Sequence, residues 1–241
     1  MHLKVYCQNI QDTWFQGRSS DLDVYYGIVD SFVNMVPVFY YYLSDYEKAR
    51  ANRFKHESDY NCYISVHALL RIELSKLLRT KAKSIIIGES KNGKPFTSGV
   101  DLPFSLSRTK NVFAFAIGRS GQYLGIDIEQ IKPGIDSINI SRKYFSIKEQ
   151  QLIFSFNRIT DQNHAFFEIW TRKEALLKAI GVGINTELSK VQVLEGENHI
   201  DLEGVQTNTD TFKISTIMNA RALISIASSI DVVPGFKNLS L

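Results

Sequence analysis

The sequence predicts a mixed α/β protein, and three observations carry that reading. Runs of alternating apolar and polar residues occur, the clearest at 124–129. Other runs place apolar residues every three or four positions, the longest at 60–78 and 164–180. The two kinds of run interleave along both halves of a 241-residue chain, long enough to bury a core as one large domain or two small ones.

Taken in order, residues 3–7 alternate like an opening strand. Ser44-Asp45-Tyr46-Glu47 has the S-x-x-E pattern in which a helix's first residues satisfy each other's backbone donors, so a helix is expected through about residue 54. A longer helix follows, with Tyr60, Tyr63, Ile64, His67, Leu70, Arg71, Leu74, Leu77 and Leu78 at helical spacing. Residues 84–87 and 104–106 read as strands, and 111–118, apolar on both faces, as a buried strand. A turn at Ser120-Gly121 leads into the strand around Asp127. Helices are expected over 138–145, 147–157 and 164–180, the last closed by Gly181 as the residue after its end. Strands near 191–194, 211–218 and 222–227 complete the chain. No low-complexity segment and no strong residue-level repeat stand out.

A formal net charge of +3 is too small to indicate nucleic acid, although it favours anionic partners. The two cysteines, Cys7 and Cys62, form no CxxC or Cys/His cluster, which argues against a zinc site or disulfide framework and fits a reduced, cytoplasmic setting. The N-terminus carries no apolar stretch of signal-peptide length, and 36–43, the most apolar segment, is far too short to span a membrane.

Two segments carry the chemistry. In Gly125-Ile126-Asp127-Ile128-Glu129 the period of a strand sets Asp127 and Glu129 on one face. Two like charges held together require a compensating cation or donor, and an oxygen-rich pair suits Mg²⁺. The same spacing also occurs on the solvated face of an edge strand. The second segment favours the metal reading: in Trp170-Thr171-Arg172-Lys173-Glu174-Ala175-Leu176-Leu177-Lys178, Glu174 and Lys178 share a helix face.

Together these segments resemble the signature of the 4′-phosphopantetheinyl transferase superfamily, in its Sfp-type branch, whose pattern runs G-[IV]-D-[IV]-E and then W-[ST]-x-K-E-A-x-x-K. Gly125, Asp127, Glu129, Trp170, Thr171, Lys173, Glu174, Ala175 and Lys178 meet every fixed position. Between them, Phe145-Ser146-Ile147-Lys148-Glu149 resembles an F-[SA]-x-x-E block. Upstream, Gly93-Lys94-Pro95 and Phe104-Ser105-Leu106-Ser107 resemble the G-K-P and F-N-[LI]-S segments.

The resemblance implies two similar α/β subdomains related by a pseudo-twofold axis. The boundary is placed near Gly121: an N-terminal subdomain over 1–121 and a C-terminal one, carrying the metal motifs, over 122–241. It implies a monomer that transfers the phosphopantetheine arm of coenzyme A to a serine of an apo acyl, peptidyl or aryl carrier protein, releasing 3′,5′-ADP. Asp127, Glu129 and Glu174 would ligate Mg²⁺. Glu174, Lys178 and Glu149 are the candidate catalytic groups. Arg50, Lys94, Pro95, Ser107, Arg108, Lys173 and Lys178 are the candidate coenzyme A contacts. Glu149 stays open between general base and helix cap, because Ser146-x-x-Glu149 is itself a capping pattern.

Two positions depart from the family: Arg108 stands where a histidine meets the 3′-phosphate, and Cys62 where a basic residue is usual. A catalytically degenerate coenzyme A or carrier binder, and an unrelated Mg²⁺-dependent phosphodiesterase, are the alternative functions. Loss of a metal carboxylate would mark the degenerate binder, and none is lost.

Overall fold

A computed structural model describes residues 2–9, 22–183, 188–203, 205, 207–219, 222–229 and 234–239. The elements run β1 (His2–Asn9), β2 (Asp23–Ile28), α1 (Val36–Phe39), α2 (Asp45–Ala51), α3 (Glu57–Leu78), β3 (Ile87–Glu89), β4 (Pro95–Thr97), β5 (Phe104–Thr109), β6 (Val112–Ile117) and β7 (Leu124–Gln130). They continue as α4 (Ser137–Tyr144), α5 (Ile147–Ser155), α6 (Ile159–Ile180), β8 (Gly196–Asp201), β9 (Thr211–Asn219), β10 (Ala222–Ser228) and β11 (Gly235–Leu239).

Two sheets form the centre. One has the order β7-β10-β9-β1-β8 and the other β11-β2-β6-β5, while β3 and β4 make a separate hairpin. Alternation along the strands sorts their residues into layers. On β7 and β10, Leu124, Ile126, Ile128, Ala222, Ile224 and Ile226 turn inward to a cluster shared with Ala114 and Ala116 of β6. The intervening Leu223 and Ala227 join the core beneath α6, and Phe113, Phe115 and Ile117 of β6 join the core beneath α3. The sheets therefore pack against each other, with one long helix on each outer face.

The chain is internally duplicated. Strands β2, β6 and β5 repeat the antiparallel order of β7, β10 and β9. Helices α3 and α6 are both 22 residues long. Each is preceded by a short helix with a complete capping box, Ser44–Glu47 in one half and Ser146–Glu149 in the other. In both halves the capping glutamate also ion-pairs with a buried base on the long helix: Glu47 with Arg71 at 2.7 Å, and Glu149 with Lys173 at 2.8 Å.

That base in turn binds the carbonyls of the segment that follows. Arg71 donates to Ala82 O and Ile85 O, and Lys173 to Leu188 O and Val191 O. These bonds explain the two strand expectations that shift. Around 84–87 and 191–194 the backbone groups go to side chains rather than to a ladder: Val193 N–H donates to Glu149 Oε1, and Val193 O accepts from Arg172. The ladders begin later than expected, at Ile87 in β3 and at Gly196 in β8. Helix α6 begins earlier than expected, at Ile159. The sequence reading also omits β2, β4 and β11.

The boundary near residue 121 falls between β6 and β7, and both terminal strands cross it. β1 pairs with β8 and β9 in the sheet of the second half, and β11 pairs with β2 in the sheet of the first. No described helix is long and apolar enough to cross a membrane.

Glu47→Ala and Glu149→Ala each strand a fully buried cation without its anion, so each should cost about 3–5 kcal/mol in urea unfolding. A loss below about 1 kcal/mol for either would contradict the structural role assigned to the pair.

Candidate active site

The site forms where β7 meets α6. Its spacing depends on Gly125: a Cβ there would stand 2.0 Å from Ala175 O and 2.3 Å from Ala179 N, so the helix backbone rests directly on the strand. With contact that close, the polar face of β7 cannot be solvated, and Asp127 is only 5% exposed. The reading as a solvated edge-strand face therefore fails for Asp127, while Glu129 is only half-buried.

On the helix, Glu174 and Lys178 project along the same face, one turn apart. Lys178 Nζ donates to Asp127 Oδ1 at 2.7 Å and to Ser107 Oγ of β5 at 2.9 Å. Ser107 Oγ–H donates to Asp127 Oδ1 at 2.7 Å, and Ser105 Oγ accepts from Ile126 N–H, so hydroxyls join the adjoining edges β5 and β7.

Charge at this point is out of balance. Asp127 Oδ2, Glu129 Oε2 and Glu174 Oε1 are buried oxygens with no hydrogen-bond partner. The nearest cation to Glu129 Oε2 is Lys132, at 3.7 Å. Burial first, and then the Asp127 charge, pushes Glu174 up to about 7 and raises Glu129 as well. Buried carboxylate oxygens without donors are costly, and a cation removes the cost. Among the described residues no three His, Cys, Asp or Glu side chains are arranged, as they stand, to hold an ion. The ammonium of Lys178 meanwhile occupies Asp127 Oδ1. The donor set is nonetheless all oxygen, with one oxygen lacking a hydrogen-bond donor on each of three carboxylates, as a hard divalent cation requires.

Beside these groups opens a cleft of about 360 Å³. Arg50, Lys94, Pro95, Arg108, Glu174 and Lys178 all line it, so most of the predicted contacts converge. The Arg108 guanidinium lies 5.1 Å from the Phe54 ring centroid and 5.9 Å from that of Tyr63, which Arg50 also approaches at 5.9 Å. Burial pushes the Cys62 thiol up, and the neighbouring Arg108 partly offsets this.

Ser107, an expected coenzyme A contact, bonds Asp127 and Lys178 but does not line the cleft, and two expected site residues lie elsewhere. Glu149 is completely buried and saturated: it accepts from Ser146 N–H and Val193 N–H and pairs with Lys173. Lys173 is 1% exposed and points into the same core. Neither lines the cleft, and the capping pattern of Ser146-x-x-Glu149 is present in full.

The structure adds a group the sequence reading overlooked. His67 stacks on Tyr63 with ring centroids 3.8 Å apart, and its Nδ1–H donates to Tyr63 O at 2.8 Å. The i, i+4 spacing of Tyr63 and His67 was the available signal, absorbed instead into a helical core pattern.

Comparison with known proteins agrees with the geometry. Residues 123–221 match the family described as the 4′-phosphopantetheinyl transferase superfamily. A 4′-phosphopantetheinyl transferase of Bacillus subtilis is 26% identical over 159 residues, covering 65% of this chain and 69% of the relative. The 4′-phosphopantetheinyl transferase HetI of a Nostoc species is 31% identical over 155 residues, covering 63% of this chain and 64% of the relative. The 4′-phosphopantetheinyl transferase Sfp of Bacillus subtilis is 25% identical over 167 residues, covering 68% and 72%. The chain thus spans 64–72% of the length of these relatives.

Burial holds His67 at about 4, opposed by Glu47 and assisted by Arg108 and Arg50. A histidine depressed in the folded state binds its proton first in the unfolded chain. Its contribution is therefore intact above the unfolded value near 6.5 and is lost as pH falls from there toward 4. His67→Phe keeps the stack without the titration, so its stability should fall less than the wild type's between those pH values. Parallel unfolding curves for the two proteins across that window would refute the assignment.

Proposed function

Because the chain belongs to the 4′-phosphopantetheinyl transferase superfamily, we propose that it moves the phosphopantetheine arm of coenzyme A onto a serine of an apo carrier protein. The reaction releases 3′,5′-ADP and depends on Mg²⁺. The observation that carries this reading is the set of three buried carboxylate oxygens without a hydrogen-bond donor, on Asp127, Glu129 and Glu174, of which Glu174 lines the cleft together with Lys178. A bond forms from the serine Oγ to the pyrophosphate phosphorus next to the pantetheine, and the bond from that phosphorus to the bridging oxygen breaks.

Asp127, Glu129 and Glu174 would hold the ion, which when bound neutralises charge on the pyrophosphate oxygens. Lys178, on the cleft side of Asp127, supplies a compact positive charge to the leaving phosphate. Glu174 would take the serine proton, a reading supported by the enclosure of Glu149 in its ion pair. Ser107 holds Asp127 and Lys178 in register. Arg108, with Arg50 across the Tyr63 ring, receives the 3′-phosphate through its fork of donors. A cytoplasmic monomer acting on more than one carrier type fits this reading.

Incubation with coenzyme A, Mg²⁺ and a panel of apo carrier proteins should add the phosphopantetheine mass to at least one carrier serine. Chelator should abolish the gain and Mg²⁺ restore it. Asp127→Ala should lose about a hundredfold or more in turnover while staying folded, whereas folded Glu149→Gln should turn over at a near-normal rate. Coenzyme A binding without modification of any carrier in a diverse panel would leave a binding protein instead.

Arg108 acts far from the reacting phosphorus, so its contribution is uniform binding, expressed in KM rather than kcat. Arg108→Ala should weaken coenzyme A by about 1.5–3 kcal/mol and leave dephospho-coenzyme A nearly unaffected. Equal losses for both substrates would remove Arg108 from the 3′-phosphate.

A further inference from the structure

Lys94 lines the cleft, yet its ammonium is already engaged. It sits on the β3–β4 hairpin, whose turn is set by Gly93 at φ 78° and by the bond from Lys94 N–H to Ser90 Oγ at 3.1 Å. From there Nζ donates to Ala179 O at 2.8 Å and to Leu124 O at 3.2 Å. Ala179 follows Lys178 in α6, and Leu124 opens β7 ahead of Asp127. A single ammonium therefore bridges the two elements whose separation fixes the contact between Lys178 and Asp127.

The last carbonyls of a helix lack helical partners, and a cation there also meets the negative end of the helix dipole. The same turn supplies a second strut, because Asn92 Nδ2 donates to Gly181 O at 2.9 Å. The hairpin is itself held to α2 by the Arg50–Glu89 pair at 2.8 Å. Two of the three ammonium donors of Lys94 are committed to carbonyls, and burial lowers its pKa to about 8. The Arg108 guanidinium in the same cleft is the better anion receptor.

We propose that Lys94 is a positioning residue which, with Asn92, ties the end of α6 to the start of β7 and so aligns Lys178 with Asp127, rather than a ligand for coenzyme A. This rests on the transferase reading for its kinetic readout, but its structural readout does not.

The test compares Lys94→Met, Lys94→Arg and Asn92→Ala with the wild type and with Lys91→Ala, an exposed neighbour in the same turn. Calorimetric titration with coenzyme A, steady-state kinetics and hydrogen–deuterium exchange are measured on each. Lys94→Met should lower kcat about tenfold or more while the Kd for coenzyme A changes less than about threefold. Amides of 124–128 and 177–182 should exchange faster. Lys94→Arg, which can still donate to both carbonyls, should recover part of kcat, Asn92→Ala should give the same split more weakly, and Lys91→Ala should match the wild type.

A Kd raised more than about tenfold with kcat retained would make Lys94 a coenzyme A ligand and overturn the proposal. Unchanged exchange in 124–128 and 177–182 would overturn it as well. If Lys94→Met does not fold, the split in Asn92→Ala decides. A wild type that modifies no carrier defeats the transferase reading alone, and the exchange comparison then still decides the role of Lys94.

Discussion

Gly125 is the residue on which the site's dimensions depend. Because nothing projects from it toward α6, the backbones of a strand and a helix touch, with Ala175 O and Ala179 N occupying the space a side chain would need. That contact sets Asp127, two residues beyond the glycine, near Glu174 and Lys178, which immediately precede Ala175 and Ala179. A larger residue would push the helix outward and open the spacing between the carboxylates and the ammonium. Ser107, arriving from the other sheet, closes the arrangement from the third side.

Around this contact the protein places charge where it is expensive and then compensates it unevenly. The two buried pairs, Glu47–Arg71 and Glu149–Lys173, are fully satisfied by caps and carbonyls, and each fixes a short helix, a long helix and the following segment in one knot. The carboxylates of the site are not satisfied: one oxygen on each of three acids has no hydrogen-bond partner. Both arrangements consist of buried acids and bases, and α6 contributes to the site and to one of the knots. What separates a structural knot from a reactive site is whether every donor and acceptor is used.

The sequence reveals the reactive set more readily than the knots. Asp127 and Glu129 announce themselves because strand periodicity pairs them, and Glu174 and Lys178 because helix periodicity does. Both helical halves of the duplication are also visible one at a time, as capping patterns followed by long apolar periods. Their equivalence is not, because it lies in matched bonding rather than matched residues: an arginine in one half does the work of a lysine in the other. The displaced strands at 84–87 and 191–194 fail for the same reason. Their apolar content reads as strand, but side chains more than ten positions away take their backbone groups. The inward path of Lys94 and the exchange of terminal strands rest on contacts of still longer range, and no local pattern records them.

That exchange has a consequence for how the chain comes into being. Lys4 stands opposite Thr211, and Gly235 opposite Asp23, so the first strand waits for residues near the end, and the last strand completes a sheet begun near the start. Neither half can finish its own sheet as it leaves the ribosome. Closure of these pairings spans nearly the entire polypeptide, which raises contact order and slows folding relative to two independent units. Fragments made by cutting between β6 and β7 would each retain an orphan strand belonging to the other, a reciprocal complementarity that favours reassembly of the pair over the survival of either piece.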